Sequence, residues 1–304
     1  MRVSGFTFVR NAVKYDFPVV EAIRSILPIV DEFVVNVGDS DDGTLALIRA
    51  IGDPKLRVIE SVWDESQRKD GAVFRQQTDI ALAQCTGDWA FYLQADEVIH
   101  ERELPRIQAC MERSLSRPEV LGLMFRYLHF YGDYDTVNPW FYRKEIRVVR
   151  NHGRIRSHGD AVGFYSLDDP RPLNLVKGPP SRYVRTGCHI YHYGWVKDPR
   201  VMLDKKIHQM SKHLELSEGE LRELIGRGRE GFEARGLHVW DMVVADLADE
   251  WRFHGYDFQK DFRGTHPAVM RERVRAFRPF LRRRRSRWLN PRFYGYVMSH
   301  GFKG

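Results

Sequence analysis

Two acidic clusters hold the side chains whose types and spacing could do chemistry. In "FYLQADEVIHE" (91–101) an apolar run ends in Gln94, Asp96 and Glu97, and "GDSDDGT" (38–44) lies upstream. Carboxylate oxygens are the ligands that Mg²⁺ and Mn²⁺ prefer, and such an ion neutralises charge that builds on a departing phosphate. Carboxylates at these positions are equally typical of helix caps. The spacing alone therefore leaves a metal site and a pair of caps as alternatives.

The elements that must position these clusters alternate along the first hundred residues. Apolar runs predict strands, and 3.6-residue periodicity predicts helices. The strands are expected over 5–9, 32–37, 56–61 and 88–94, and the helices over 16–30, 41–52 and 72–85. This alternation predicts a parallel sheet covered by helices. Ligands of such sheets bind outside the carboxyl ends of the strands, so we expect both acidic clusters to face one crevice.

The rest of the chain divides into three parts. A helix is expected over 101–117, and 121–165 is extended and rich in aromatic residues. From about residue 200 the pattern becomes helical and strongly charged. We therefore predict a first domain over 1–199 that carries the catalytic site, and a basic helical region over 200–304.

Composition excludes several classes of protein. The chain has 304 residues, of which 43% are hydrophobic and 29% charged, which is typical of a soluble globular protein. The net charge of +7 indicates an anionic partner. No apolar run approaches the roughly 20 residues of a membrane helix, and the first residues lack the apolar core of a signal peptide, so a cytoplasmic location is expected. Cys85, Cys110 and Cys188 show neither disulfide nor zinc spacing.

Two later stretches could also carry function. In "CHIYHYGW" (188–195), His192 is a candidate metal ligand and Trp195 a stacking surface, although a histidine among aromatic residues is as typical of a packed core. Arginines at 282–285 and 287 stand beside Trp288. They could contact an anionic membrane surface, or they could form a solvated helix face.

Three motifs, in their order and spacing, resemble the family-2 glycosyltransferases of the GT-A fold, which transfer a sugar from a nucleotide-diphosphate donor. Asn36 and Gln94 stand where that family usually has Asp, whereas Asp96 is kept. The closest resemblance is to bacterial members that build surface polysaccharide or lipopolysaccharide. The three motifs are "FTFVRNAV" (6–13), "VNVGDSDDGT" (35–44) and "GDWAFYLQADE" (87–97).

The resemblance implies an α/β fold of the GT-A (Rossmann-like) type. Its sheet is mixed and mainly parallel with helices on both faces, and a C-terminal helical region follows. It also implies a divalent metal, Mn²⁺ or Mg²⁺, held by Asp96 and His192. The side chains expected to bind the nucleotide-sugar are Arg10, Asn36, Asp39, Lys69, Arg75, Gln94, Ala95 and Asp96.

The implied reaction is an inverting displacement, which needs a carboxylate to accept the proton of the acceptor hydroxyl. Asp160 in "SHGDAVGF" (157–164) is the first candidate. Glu145 is the second, although its alternation with apolar residues also predicts a structural role on an exposed strand face. The aromatic stretch 127–142 could line the acceptor site or belong to the core.

The expected partners are a nucleotide-diphosphate sugar donor and a glycan or lipid-linked acceptor, with the enzyme at the inner face of the membrane. A nucleic-acid-binding protein is the first alternative, because the chain is basic, but acidic clusters at strand ends would repel a phosphate backbone. A nucleotidyltransferase would carry a glycine-rich basic loop after the first strand, and "FVRNAVKYDF" (8–17) has no glycine. A relative that only binds nucleotide is the third alternative, because of Asn36 and Gln94.

Overall fold

The computed structural model describes residues 1–64, 66–67, 69–139, 141–175, 182–211, 216–226 and 260–277. The basic cluster predicted at 282–287 lies outside these residues. The helices are α1 (Val19–Ile26), α2 (Thr44–Arg49), α3 (Ala72–Leu82), α4 (Leu104–Leu115), α5 (Pro199–Ser211), α6 (Glu218–Gly226) and α7 (Arg271–Ala276). The strands are β1 (Val3–Val9), β2 (Glu32–Val37), β3 (Leu56–Glu60), β4 (Trp89–Tyr92), β5 (Glu97–Ile99), β6 (Gly122–Tyr131), β7 (Thr136–Asn138), β8 (Lys144–Arg150), β9 (Ile155–His158), β10 (Gly163–Ser166), β11 (Asp169–Pro172), β12 (Tyr183–Trp195) and β13 (Lys260–Asp261).

One large sheet organises the molecule. Its strand order is β13-β7-β6-β8-β4-β1-β2-β3, and β12 pairs with both β6 and β5. β1 pairs in parallel with β2 and β4, and β2 with β3, whereas β8 is antiparallel to β4 and to β6. The predicted fold class, α/β with a mixed sheet of the GT-A (Rossmann-like) type, is confirmed.

Helices cover both faces of this sheet, as predicted. Side chains of β1 alternate between the two faces: Val3 and Val9 pack in the cluster that includes α1, α2 and α4, whereas Phe6 packs in the cluster that includes α3. The small sheet of β9, β10 and β11 adds to the second cluster. Because both faces are buried, the central strands are nearly continuous apolar runs.

The described residues beyond 200 pack against the sheet. β13 pairs with β7, and Met270 is buried in a cluster with Phe130 and Tyr193. Arg273 of α7 bonds to Asp16 at 2.6 Å and to Glu21 at 2.8 Å. The division into domains 1–199 and 200–304 stays a prediction. Among the described helices, none combines the length and the apolar character that crossing a membrane requires.

Candidate active site

A tight turn at the carboxyl end of β4 presents Asp96. β4 ends at Tyr92, two residues earlier than predicted, and β5 begins at Glu97. The backbone N–H of Glu97 donates to the carbonyl of Gln94 at 3.0 Å, and the Glu97 carboxylate accepts from the Gln94 N–H at 3.1 Å. Asp96 is therefore fixed between two strands of the same sheet, and it is buried.

A buried ion pair anchors this turn. Both carboxylate oxygens of Glu97 accept from the Arg147 guanidinium, each at 2.8 Å, and both side chains are fully buried. The Tyr127 hydroxyl donates to the same carboxylate at 2.8 Å. Because its oxygens are engaged in this way, Glu97 anchors the turn, and Asp96 is the carboxylate of the turn that remains a candidate for binding.

Two side chains meet the Asp96 carboxylate. The Lys205 ammonium of α5 lies 3.1 Å from Oδ2, and His192 Nε2 of β12 lies 3.6 Å from Oδ1. Burial alone would raise the pKa of Asp96, but the charge of Lys205 is the largest of the influences that outweigh it and hold that pKa well below its usual range. The carboxylate is therefore ionised.

A hydrogen-bonded pair of histidines determines which nitrogen of His192 carries the proton. His129 Nε2 lies 2.7 Å from the Tyr142 carbonyl, so that nitrogen carries a proton and donates it. The two Nδ1 atoms of His129 and His192 are 3.2 Å apart. Burial lowers the pKa of His129 to about 4 and that of His192 to about 3, so both rings are neutral. It follows that His192 Nδ1 donates to His129, and that the lone pair of His192 Nε2 faces Asp96.

This arrangement fits a divalent cation. An ionised oxygen of Asp96 and an unprotonated nitrogen of His192 face each other with no proton between them, and a hydrogen-bonded second histidine is the usual support of a metal-binding imidazole. Within the described ranges, no group of three or more His, Cys, Asp or Glu side chains gathers around a point. The remaining ligands would therefore be phosphate oxygens and water, as is common for Mg²⁺.

Gly194 leaves the space that this arrangement needs. A Cβ at this position would lie 2.5 Å from Asp96 Oδ2 and 2.8 Å from His192 Cε1. Any side chain at residue 194 would therefore displace the two candidate ligands.

Three lysines surround the site. Lys205 and Lys197 are buried, and Lys197 donates to the Asp16 carbonyl at 2.7 Å. The Lys206 ammonium lies 3.8 Å from the centre of the Trp195 ring. Burial and the nearby charge of Lys205 lower the pKa of both Lys197 and Lys206 to about 7. Burial therefore disfavours the charged form of these two lysines in the protein alone, and an anionic ligand beside them would favour it.

The candidate base Asp160 lies on a turn that contacts the 94–97 turn. Gln94 Nε2 donates to the carbonyl of Ala161 at 3.2 Å. Ala161 is buried and adopts a left-handed backbone with φ of 67°. Asp160 itself is exposed. Its negative charge raises the pKa of Lys206, which opposes the lowering caused by burial and by Lys205. The structure thus brings Asp160 to the lysine side of the site.

Glu145 does not lie on an exposed strand face, so that part of its predicted structural role is wrong; its choice as second candidate base stays a prediction. Its side chain is buried, and the Asn174 amide donates to both carboxylate oxygens at 3.1 and 3.0 Å. Burial raises the pKa of Glu145 to about 7. The reason is that β8 is covered by the β9–β11 sheet, which sequence periodicity does not reveal.

Arg10 and Asp39 meet at the carboxyl ends of β1 and β2. Their side chains form an ion pair at 3.1 Å, and the Asp39 side chain is 41% exposed. Asp39 also accepts from the backbone N–H of Trp63 at 3.3 Å, and the Arg10 guanidinium lies 5.2 Å from the Trp63 ring. The Trp63 ring is buried, so the partly exposed carboxylate of Asp39 is the group of this cluster that could meet a nucleoside.

Two other predicted residues, Asn36 and Arg75, are not brought to these groups, and neither of the remaining two has a described side chain that meets them. Asn36 is fully buried and donates to the carbonyl and side chain of Gln77 at 3.1 and 2.8 Å, because its position in β2 faces α3. Arg75 lies on the exposed side of α3, in a shallow cavity shared with Asp79. Ala95 packs in the core, and the side chain of Lys69 lies outside the described part of the chain.

Comparison with known proteins gives similar folds. The sequence matches no protein-family model and no curated protein. The structure is similar to S. aureus TarS 1-349, with a TM-score of 0.40 and 14% identity, covering 84% of this chain and 74% of that chain. It is also similar to mannosyl-3-phosphoglycerate synthase from Rubrobacter xylanophilus, with a TM-score of 0.38 and 14% identity over 71% of this chain and 77% of that one.

A third similar structure is glucosyl-3-phosphoglycerate synthase from Mycobacterium tuberculosis, crystallised with Mn²⁺, UDP-glucose and glycerol 3-phosphate. The TM-score is 0.34 and the identity 16%, covering 53% of this chain and 62% of that chain. This chain therefore spans less than two thirds of that synthase.

Proposed function

We propose that this chain is an inverting glycosyltransferase, which moves a sugar from a nucleotide-diphosphate donor to a hydroxyl group of a glycan or lipid-linked acceptor. The observation that carries the proposal is the pairing of the ionised Asp96 with the unprotonated Nε2 of His192, 3.6 Å apart at the carboxyl end of β4. Lysines surround this pair, and the exposed carboxylate of Asp160 lies on the adjoining turn. These features together suit a phosphorylated donor beside an acceptor hydroxyl.

The donor would lie across the carboxyl ends of β1, β2 and β4. The exposed side of Asp39 would hold the nucleoside, with Arg10 and the buried Trp63 fixing that carboxylate. Asp96 and His192 would hold Mn²⁺ or Mg²⁺, which when bound supplies positive charge to the diphosphate. The Glu97–Arg147 pair would keep Asp96 in place by anchoring the turn.

In the displacement, the oxygen of the acceptor hydroxyl forms a bond to the anomeric carbon while the bond from that carbon to the diphosphate oxygen breaks. Asp160 accepts the hydroxyl proton, and the nucleotide diphosphate leaves with the electron pair of the broken bond. Asp160 suits this role because it is exposed, whereas Gln94 holds its turn in place. Glu145 is the second candidate for the base, with a pKa raised to about 7 that suits proton transfer.

The acceptor side rests on fewer observations. The aromatic stretch 127–142 begins within β6, and most of its described rings are buried in the core. Tyr142, which is 39% exposed and lies against His129, is the ring that would pack against the C–H face of a sugar. We keep the predicted cytoplasmic location and the contact of the arginine cluster at 282–287 with an anionic membrane as parts of this proposal.

A thermal-shift assay of nucleoside diphosphates, with and without Mn²⁺, tests the proposal. A ligand at a hundred times its Kd stabilises the folded state by about 2.7 kcal/mol, which raises the Tm of a protein of this size by several degrees. We expect such a shift for the wild type with one nucleoside diphosphate and Mn²⁺, and its loss in Asp96→Ala. Asp168→Ala is the matched control, because Asp168 is exposed and pairs with Arg154 on the β10–β11 turn.

Two results would contradict the proposal. One is a wild type that no nucleoside diphosphate stabilises in either condition. The other is stabilisation by single-stranded RNA or DNA instead, which would favour a nucleic-acid-binding protein. For the base, Asp160→Asn should lower kcat of sugar transfer by about 10² to 10⁴ with little change in nucleotide affinity.

A further inference from the structure

We propose that Lys205 and Lys206 of α5 bind the diphosphate of the donor, so that a helix outside the sheet completes the active site. The inference rests on the proposed function, because it names the groups that receive the leaving diphosphate. It assigns a binding role to two residues that the sequence presents as an ordinary charged helix.

The position of α5 is the first step. The helix begins at Pro199, a few residues after β12 ends at Trp195. Its lysines therefore lie beside the last residues of that strand. The Lys205 ammonium donates to the Gly194 carbonyl at 3.0 Å as well as to Asp96 at 3.1 Å.

The partners of the lysines are the second step. Lys205 is paired with the carboxylate of Asp96. Lys206 makes no hydrogen bond within the part of the chain that the structure describes, and its ammonium lies 3.8 Å from the centre of the Trp195 ring. A cation on an aromatic face is held less strongly than one that donates to an anionic oxygen. The Lys206 ammonium is thus placed at the site with its hydrogen-bonding capacity unused.

The balance of charge is the third step. The charge of Lys205 acts on both Lys197 and Lys206. Lys197 is also near Asp96, Asp16 and Arg273, and Lys206 is near Asp160. A cation held by Asp96 would add positive charge and would remove the carboxylate partner of Lys205. A diphosphate offers several anionic oxygens, and it is the group that the donor presents at this end of the sheet.

Isothermal titration calorimetry with inorganic pyrophosphate tests the proposal without assuming a base or a sugar. The full chain is titrated in EDTA and again in Mn²⁺. Lys206→Gln should weaken pyrophosphate binding about tenfold in both conditions, because one charge-assisted hydrogen bond is lost. Lys206→Arg should bind nearly as well as the wild type, since it keeps the charge.

Lys55→Gln is the matched control, because Lys55 lies at the amino end of β3 and donates to the Leu27 carbonyl at 2.8 Å. Its pyrophosphate affinity should equal that of the wild type. Lys205→Gln should also weaken binding, but it removes the ammonium that neutralises a buried carboxylate. The test therefore rests on the Lys206 variants, whose change leaves that ion pair intact.

Wild-type affinity for pyrophosphate in Lys206→Gln would overturn this inference while leaving the proposed transferase untouched. The same holds if Lys55→Gln loses as much affinity as Lys206→Gln, because the effect would then be one of overall charge. If the wild type binds neither pyrophosphate nor any nucleoside diphosphate in EDTA or Mn²⁺, both the inference and the proposed function fail.

Discussion

Replacement of Arg147 by methionine tests the anchor of the 94–97 turn. The substitution leaves the fully buried carboxylate of Glu97 with the Tyr127 hydroxyl as its remaining side-chain donor. Removing one partner of a buried ion pair costs about 3–5 kcal/mol, because the other charge stays buried without compensation. Native domains are stable by about 5–15 kcal/mol, so Arg147→Met should lose about a fifth of its stability or more.

Equilibrium unfolding in urea measures this loss. With a slope of about 3 kcal/mol per molar urea, the midpoint should fall by about 1 M or more. The double variant Glu97→Gln with Arg147→Met carries no buried charge at this place, so it should regain most of the lost stability. The regain separates the cost of a stranded charge from the cost of lost packing.

An unchanged urea midpoint in Arg147→Met would refute the reasoning, because a fully buried carboxylate cannot lose its guanidinium at no cost. A double variant that is less stable than Arg147→Met would refute it as well. In that case packing and hydrogen bonding, and not the stranded charge, would dominate the contribution of Arg147.

Three further predictions follow from the site. Burial raises the pKa of Glu145 from 4.5 to about 7, so the free energy of unfolding should fall by about 3 kcal/mol as pH rises between those values, and Glu145→Gln should remove this dependence in urea titrations. His129→Phe removes the acceptor that orients His192, so Mn²⁺ affinity measured by calorimetry should fall about 10- to 100-fold, with the exposed His152→Phe as control. Gly194→Ala should lower the free energy of unfolding by about 1–3 kcal/mol and abolish the Mn²⁺-dependent thermal shift, because its Cβ would lie 2.5 Å from Asp96. Gly219→Ala, with open space around it, should do neither. Equal Mn²⁺ affinity in His129→Phe, or an intact thermal shift in Gly194→Ala, would contradict the geometry described.

The early strands could be predicted from sequence because their signal is local. β1, β2 and β4 are short apolar runs buried on both faces, and β3 is a half-buried edge strand. These four strands pair with one another in parallel, and the alternation with helices predicts that sheet type. The later strands pair across long distances: β12 pairs with β6, and β8 with β4. Their aromatic-rich sequence indicates extended structure, but their order in the sheet depends on tertiary packing.

Site residues that directly follow a strand could be predicted from the sequence. Residues whose place in the site depends on the direction of the side chain could not. Asp96 and His192, predicted as a pair, lie 3.6 Å apart. Asn36 faces α3 because in a strand a shift of one residue moves a side chain to the opposite face. Lys205 could not be identified as a site residue from the sequence, since a lysine pair in a charged helix is typical of a solvated surface. The role of His129 could not be predicted either, because it depends on His192, which lies 63 residues along the chain.

The backbone of Ala161 has a consequence for how the 159–161 turn behaves. Gly159 and Ala161 both occupy the left-handed region, with φ of 63° and 67°, but only glycine does so without steric conflict between its own Cβ and the main chain. The alanine therefore holds a conformation that it would abandon in a free peptide, at a cost of about 1 kcal/mol. The position of Asp160 is thus determined by the surrounding fold. A short peptide of the same sequence would present this carboxyl group in a different direction.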